Sequence, residues 1–165
     1  MSFRHVLKKN DTEENFISNK DFFKNIKKDI DNSSPIQFDM DTFMLCLILG
    51  LKENKKENIS DYKLDQSFNS NYIEPYKKVK PIITALLISK ILSEKKIDKN
   101  EKDKIKKNLQ EFLNTNDSTY LSNKSFEIMH SYYLGGFNIL LKKFNYKAPD
   151  EVSIFFDKYN KLISN

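Results

Sequence analysis

Only 3 glycines and 4 prolines punctuate a chain of 165 residues, and that shortage is the strongest constraint on what it can fold into. Hairpins and tight β-turns draw on glycine for positive-φ positions and on proline for preset ones. A chain with so few of either must build from elements that ordinary residues can join, and helices do this best. The 13 Phe and 8 Tyr supply bulky packing groups that a disordered chain lacks, although 31% of the residues are charged. The expected fold is all-α: a compact bundle of about six helices with two buried central ones. It is read as a single domain over residues 1–165, with residues 1–18 an irregular arm that packs through Phe3, Val6, Leu7 or Phe16.

The helices are read from apolar spacing. Asn19 is a good N-cap for a first helix in which Phe22, Phe23, Ile26 and Ile30 recur at helical intervals until Ser33-Ser34-Pro35 stops it. Asp39 or Asp41 caps a second. From Phe43 to Leu51 nearly every residue is apolar, which predicts a helix surrounded on all sides; a buried strand is the competing reading, disfavoured by the acidic caps and the scarcity of β-branched residues. Residues 54–70 read as a polar surface connection anchored by Ile59, Tyr62, Leu64 and Phe68.

Pro81 suits the first turn of a helix carrying Ile82, Ile83, Leu86, Leu87, Ile91 and Leu92, expected beside the Phe43–Leu51 helix. Asp98 followed by Glu101 has the spacing of a capping box ahead of the narrow stripe Ile105, Leu109, Phe112 and Leu113. A fifth helix runs from Ser122 towards Lys143, interrupted at Gly135-Gly136. The last starts near Pro149, with Val152, Phe155, Phe156, Tyr159, Leu162 and Ile163 facing inward.

Chemistry is hard to find. The glycines form no GxGxxG or GxxxxGK loop to cradle a phosphate. One Cys and two His are too few for a zinc site, and Cys46 lies in an apolar run where its thiol is inert. His130 shares a helix with packing residues and reads as structural rather than as a general base, and His5 reads as incidental. The pairs Asp39/Asp41 and Asp29/Asp31 fall at helix ends and read as caps. No cofactor, no metal, no small-molecule substrate and no enzymatic activity are expected. Without an apolar signal core or a membrane-length run, the expected location is cytoplasmic.

Gly135-Gly136 is the most informative oddity, since each glycine inside a helix costs about 1 kcal/mol relative to alanine. Three readings account for it: a helix of the same domain crosses there, a partner surface or nucleic-acid backbone does, or the helix bends. Tyr132, Gly135, Gly136, Lys142 and Lys143 are accordingly the candidate contacts to a larger protein subunit.

The net charge of +5 comes from lysine, with Arg4 the only arginine. Lysine suits diffuse phosphate contact better than base readout. Lys95, Lys96, Lys99, Lys102, Lys106 and Lys107 are the candidate nucleic-acid contacts, with Lys99, Lys102 and Lys106 on one helical stripe. Asp98–Lys102 and Asp103–Lys107 spacing fits ordinary surface ion pairs, so a merely solvated face is the favoured reading of these lysines.

The stretch from Phe38 to Lys55, FDMDTFMLCLILGLKENK, resembles the capped apolar helix with a small-residue and acidic tail of small helical DndE-like proteins from bacterial DNA-modification and anti-phage operons. The resemblance implies a non-enzymatic accessory protein working beside larger DNA-handling subunits, and it transfers no functional residue. The leading expectation is a non-catalytic adaptor subunit of a larger bacterial assembly; the alternative is a sequence-independent nucleic-acid-binding module using the lysine-rich helix.

Overall fold

The longest apolar run becomes a helix because Asp41 secures its start: its carboxylate accepts from the backbone N–H groups of Gln37 and Phe38, both at 2.7 Å. This helix, α2, spans Asp39–Lys52 in a computed structural model that describes residues 2–8, 17–27 and 35–164. The other elements are β1 (Phe3–Lys8), α1 (Asn19–Phe22), β2 (Tyr62–Asn69), α3 (Glu74–Lys77), α4 (Lys80–Glu94), α5 (Lys102–Phe112), α6 (Asn123–Lys143) and α7 (Val152–Ser164). The described residues are mostly helical. Among the described residues there are seven helices and one small sheet, β1 paired with β2. The helix beyond the expected six is α3, a single turn that carries Pro75 in its first positions.

Contacts gather the chain into two units that no single cut separates. One joins the residues up to Phe3 to Asn69–Met129, and the other joins Arg4–Phe68 to His130–Asn165. Below they are called the α4–α5 unit and the α2–α6 unit.

In the α2–α6 unit the two central helices touch backbone to backbone. A Cβ on Gly50 would lie 1.9 Å from the carbonyl oxygen of Tyr132, and one on Gly136 would lie 1.8 Å from that of Cys46. Gly135 faces the segment after α2, where a Cβ would lie 1.9 Å from the carbonyl oxygen of Lys55. Every glycine of the chain is thus spent on one close approach, and none has positive φ. The crossing reading of Gly135-Gly136 is the one realised. The expected interruption is not: α6 runs through the pair unbroken, because the neighbouring backbone fills the space that side chains would need.

Aromatic rings seal the rest of this unit. Phe43 stacks on Tyr133 with centroids 4.5 Å apart, Phe22 meets Phe137 edge-on at 5.8 Å, and Phe144 stacks on Phe155 at 5.7 Å. α7 is held on α2 by the Tyr159 hydroxyl, which donates to the Leu45 carbonyl at 2.8 Å.

In the α4–α5 unit, α4 packs against α5. The loop between α5 and α6 closes through a bridge between Leu113 and Leu121, and the Ser125 hydroxyl donates to the Phe112 carbonyl at 2.6 Å. Phe3 packs against Tyr72 and Phe126, each with centroids 5.3 Å away.

Several expectations need correction. Residues 3–8 are a strand, not an irregular arm, and residues 62–69 a second strand, because strand pairing is non-local and leaves little trace in local spacing. The N-cap of α1 is Ser18, whose hydroxyl accepts from the Asp21 N–H at 3.0 Å; Asn19 is buried and its Oδ1 accepts from the Val6 N–H at 2.9 Å. α1 is one turn, followed by turns to Lys27. The central pair is α2 and α6, α2 is not surrounded on all sides since Ile48 is 47% exposed, and the Pro81 helix packs against α5. α5 begins only at Lys102: the Glu101 carboxylate accepts from the Asp98 N–H at 3.0 Å as a capping box requires, but the Asp98 carboxylate accepts from the Asn100 N–H instead of a helical one. α7 begins at Val152, past Pro149. Phe16, Asp29, Ile30, Asp31, Ser33 and Ser34 lie outside the described residues, as do the side chains of Leu7 and Leu64. No described helix is long and apolar enough to cross a membrane.

Candidate functional site

α4 presents three faces. Ile83, Leu87 and Ile91, each four residues on from the last, are buried. Roughly a quarter-turn or more away, Val79, Ile82 and Leu86 lie in solvent, with Ile82 60% and Leu86 56% exposed. On the third face Pro81, Thr84, Ala85, Ile88, Ser89 and Leu92 form one wall of a groove of about 800 Å³. Ile105 and Leu109 of α5 form another wall, and Ser93, Ile97, Lys99, Leu113, Thr115 and Tyr120 complete the lining. Thr84 Oγ1, buried in that wall, has no hydrogen-bond partner among the described residues.

The end of α4 shapes this groove. Lys96 takes a left-handed conformation with φ 54°, its N–H donates to the Ser93 carbonyl at 3.0 Å, and the Ile97 N–H donates to the Leu92 carbonyl at 3.1 Å. This is a Schellman ending, which folds the chain back so that Ile97 returns beside Leu92. Lys99 follows two residues on, which is how a cation reaches a mostly apolar lining. At the Tyr120 end, the Lys80 ammonium lies 3.6 Å from the centre of that ring and donates to the Ser118 carbonyl at 2.9 Å. Residues 69–129 hold twelve lysines against eight carboxylates, so +4 of the chain's net +5 lies in this segment.

The candidate lysines separate into tied and open ones. Lys95 donates to Asn108 Oδ1 at 2.7 Å, reaches Glu111 at 3.4 Å and lies over the Phe112 ring. Lys96 is the left-handed stop of α4. Lys99 sits in the turn before α5, so the expected stripe of Lys99, Lys102 and Lys106 is broken: only Lys102 and Lys106 share the helix, because α5 starts later than expected. Lys96, Lys99, Lys102, Lys106 and Lys107 are exposed and form no ion pair among the described residues. Glu101 is ion-paired with Lys104, and Glu111 with Lys95 and Lys124.

The candidate protein contacts lie mostly inside. Tyr132, Gly135 and Gly136 are buried against their own chain and have no surface to offer a partner, whereas Lys142 and Lys143 are exposed. His130 is buried with its ring 5.5 Å from Phe43 and 6.2 Å from Tyr133. Cys46 is buried too, and burial pushes its thiol pKa well up, away from reactivity.

His5 is not incidental. It is buried in the α2–α6 unit with Nδ1 3.2 Å from Asn19 Nδ2 and Nε2 3.4 Å from Asp39 Oδ2. Because the Asn19 amide nitrogen can only donate, the imidazole proton belongs on Nε2, facing Asp39. Lys27 also bonds Asp39. The hydrogen bond with His5 holds the Asp39 carboxyl well below the usual carboxylate range, partial burial opposes this, and the Lys27 bond and charge add to the lowering. A carboxylate held so firmly ionised is a weak proton acceptor and a good anchor for β1. Among the described residues no group of His, Cys, Asp or Glu is arranged to hold a metal ion.

Spacing showed that the Pro81 helix was apolar over more than half its surface, but gave no sign that part of this surface would stay open. Compared with models of protein families, with curated proteins and with solved structures, the chain matches none.

Proposed function

We propose that this protein is a non-catalytic adaptor, a helical subunit that docks on a larger partner protein through the exposed face of α4 and the groove beside it. The observation that carries the proposal is the apolar stripe of Val79, Ile82 and Leu86 standing open beside that groove. Single exposed apolar residues are ordinary, but a row at helical spacing next to an apolar groove marks an interaction surface. The proposed contact surface thereby moves to α4 from the Tyr132–Lys143 helix and the final helix, on which the sequence suggests it. The resemblance of residues 38–55 makes DNA-modification or anti-phage machinery the kind of assembly to try.

The test compares the wild type with the double variant Ile82→Asp, Leu86→Asp. Both positions are exposed, so the variant should fold with wild-type helicity. A stoichiometric partner retained by the immobilised wild type, confirmed with the purified pair and lost with the variant, is the expected result. Capture of the same partner by both would remove α4 from the interface and sink the proposal.

A second reading has its own support in the exposed lysines 96, 99, 102, 106 and 107: phosphate-backbone binding with little sequence preference. It predicts that Lys102→Glu, Lys106→Glu weakens duplex binding far more than Lys142→Glu, Lys143→Glu. Equal losses would remove it.

A further inference from the structure

We infer that the α4–α5 groove receives an acidic amphipathic helix of the partner, an inference that rests on the adaptor reading and specifies its chemistry. Three observations point to this occupant. From Pro81 to Leu92 the groove wall runs for about 17 Å at the rise of an α-helix, the length of about three helical turns. The apolar strip is also wide, because Ile82 and Leu86 stand exposed on the face beside the groove lining. An extended chain or a single lipid tail would leave that edge bare, whereas a helix laid along the groove covers floor and edge together with apolar anchors three and four residues apart.

Charge decides the sign of the partner. Lys99 lies in the lining, Lys102 and Lys106 are exposed on α5, and the segment from 69 to 129 holds most of the chain's net positive charge. Carboxylates flanking the apolar stripe of an incoming helix meet these ammonium groups, while a basic helix is repelled. A second copy of this chain brings the same positive unit and is disfavoured for that reason.

The probe is a fluorescein-labelled synthetic helix with leucine on one face and glutamate on the others, set against one with lysine in place of every glutamate. Both are titrated by anisotropy with the full chain. The glutamate helix should bind with micromolar affinity and the lysine helix at least about tenfold more weakly. Ala85→Trp, at an exposed position in the groove wall, should obstruct the groove and weaken binding at least about tenfold, and Lys99→Glu by about three- to tenfold. Circular dichroism confirms that both variants keep wild-type helicity. Equal binding of the two helices, indifference to Ala85→Trp, or no binding at all would overturn the inference. So would laurate that binds the groove and displaces the peptide, which would assign it to a lipid. A natural partner that depends on Ile82 and Leu86 but is not displaced by the glutamate helix would leave the adaptor reading standing and remove the acidic helix alone.

Discussion

Both units leave apolar side chains in solvent, Phe38, Ile48, Ile154 and Ile163 in the α2–α6 unit and Val79, Ile82, Leu86 and Tyr120 in the α4–α5 unit, but Val79, Ile82 and Leu86 form a row on one helix beside a groove. In the α2–α6 unit Phe43, Leu47, Tyr132, Tyr133, Phe137 and Leu140 are almost wholly withdrawn from solvent. In the α4–α5 unit, α4 leaves Ile82 and Leu86 in water, and Ile105 and Leu109 of α5 are only half-buried beside a groove. Glycines and stacked rings specify the helix crossing of the first unit, while in the second an apolar row stands open beside a groove that α4 and α5 line. A solvent-exposed apolar face weakens solubility and adds little to stability, and the adaptor proposal rests on that face.

The largest expected effect comes from breaking the crossing. Gly136→Val should cost more than about 4 kcal/mol or prevent folding, because its first side-chain carbon would overlap the Cys46 carbonyl and neither helix backbone can yield alone. Denaturant midpoints, or the soluble yield if the variant does not fold, read this out. A loss below about 1 kcal/mol would mean that the helices do not meet backbone to backbone.

Next in size is the ring core. Phe43→Ala removes a ring packed against Tyr133, His130 and Phe68 and should cost about 3–5 kcal/mol in urea unfolding. Leu86→Ala on the open face of α4 should change stability by less than about 0.5 kcal/mol. Similar losses at the two positions would erase the contrast between the units.

That contrast was only half legible in the sequence. Phe43 to Leu51 and the Phe126 to Phe144 face announced their helices, because helical packing writes a local period into the chain. Gly135-Gly136 announced a close approach, but only the fold shows that Gly50 and Cys46 are what approaches. β1 and β2 were missed, since each strand's burial depends on a partner more than 50 residues away, beyond the reach of local spacing. The groove was missed for a related reason. Periodicity reports how much of α4 is apolar, whereas the open face depends on where α5 stops covering it.

Acid separates the units more gently. The folded-state pKa of Asp39 lies below its ordinary value near 3.8, so the carboxylate stabilises the folded state above that pH and loses this contribution as pH falls towards the folded value. Asp39→Asn should therefore cost about 1–2 kcal/mol at neutral pH, discounted because the group is a third exposed, and should flatten the fall in stability below about pH 4. Identical acid profiles for variant and wild type would mean that the His5–Asp39–Lys27 cluster does not tie β1 down.

The smallest effect compares two helix ends that share one geometry. α2 ends in the same Schellman arrangement as α4: the Lys55 N–H donates to the Gly50 carbonyl at 2.9 Å, and Asn54 has φ 51° where α4 has Lys96 at 54°. Asparagine tolerates the left-handed region and lysine does not, so the α4 end carries strain that the α2 end avoids. Glycine relieves that strain, so Lys96→Gly should stabilise by about 0.5–1 kcal/mol in urea unfolding, and Asn54→Gly by distinctly less. The gain at Lys96 also bears on function. If the exposed ammonium matters only as a helix stop, Lys96→Gly should leave binding of the glutamate helix unchanged while raising stability. If binding weakens along with the loss of charge, Lys96 belongs to the basic rim, and its strained backbone is the cost of placing a cation where Ile97 turns back towards the groove.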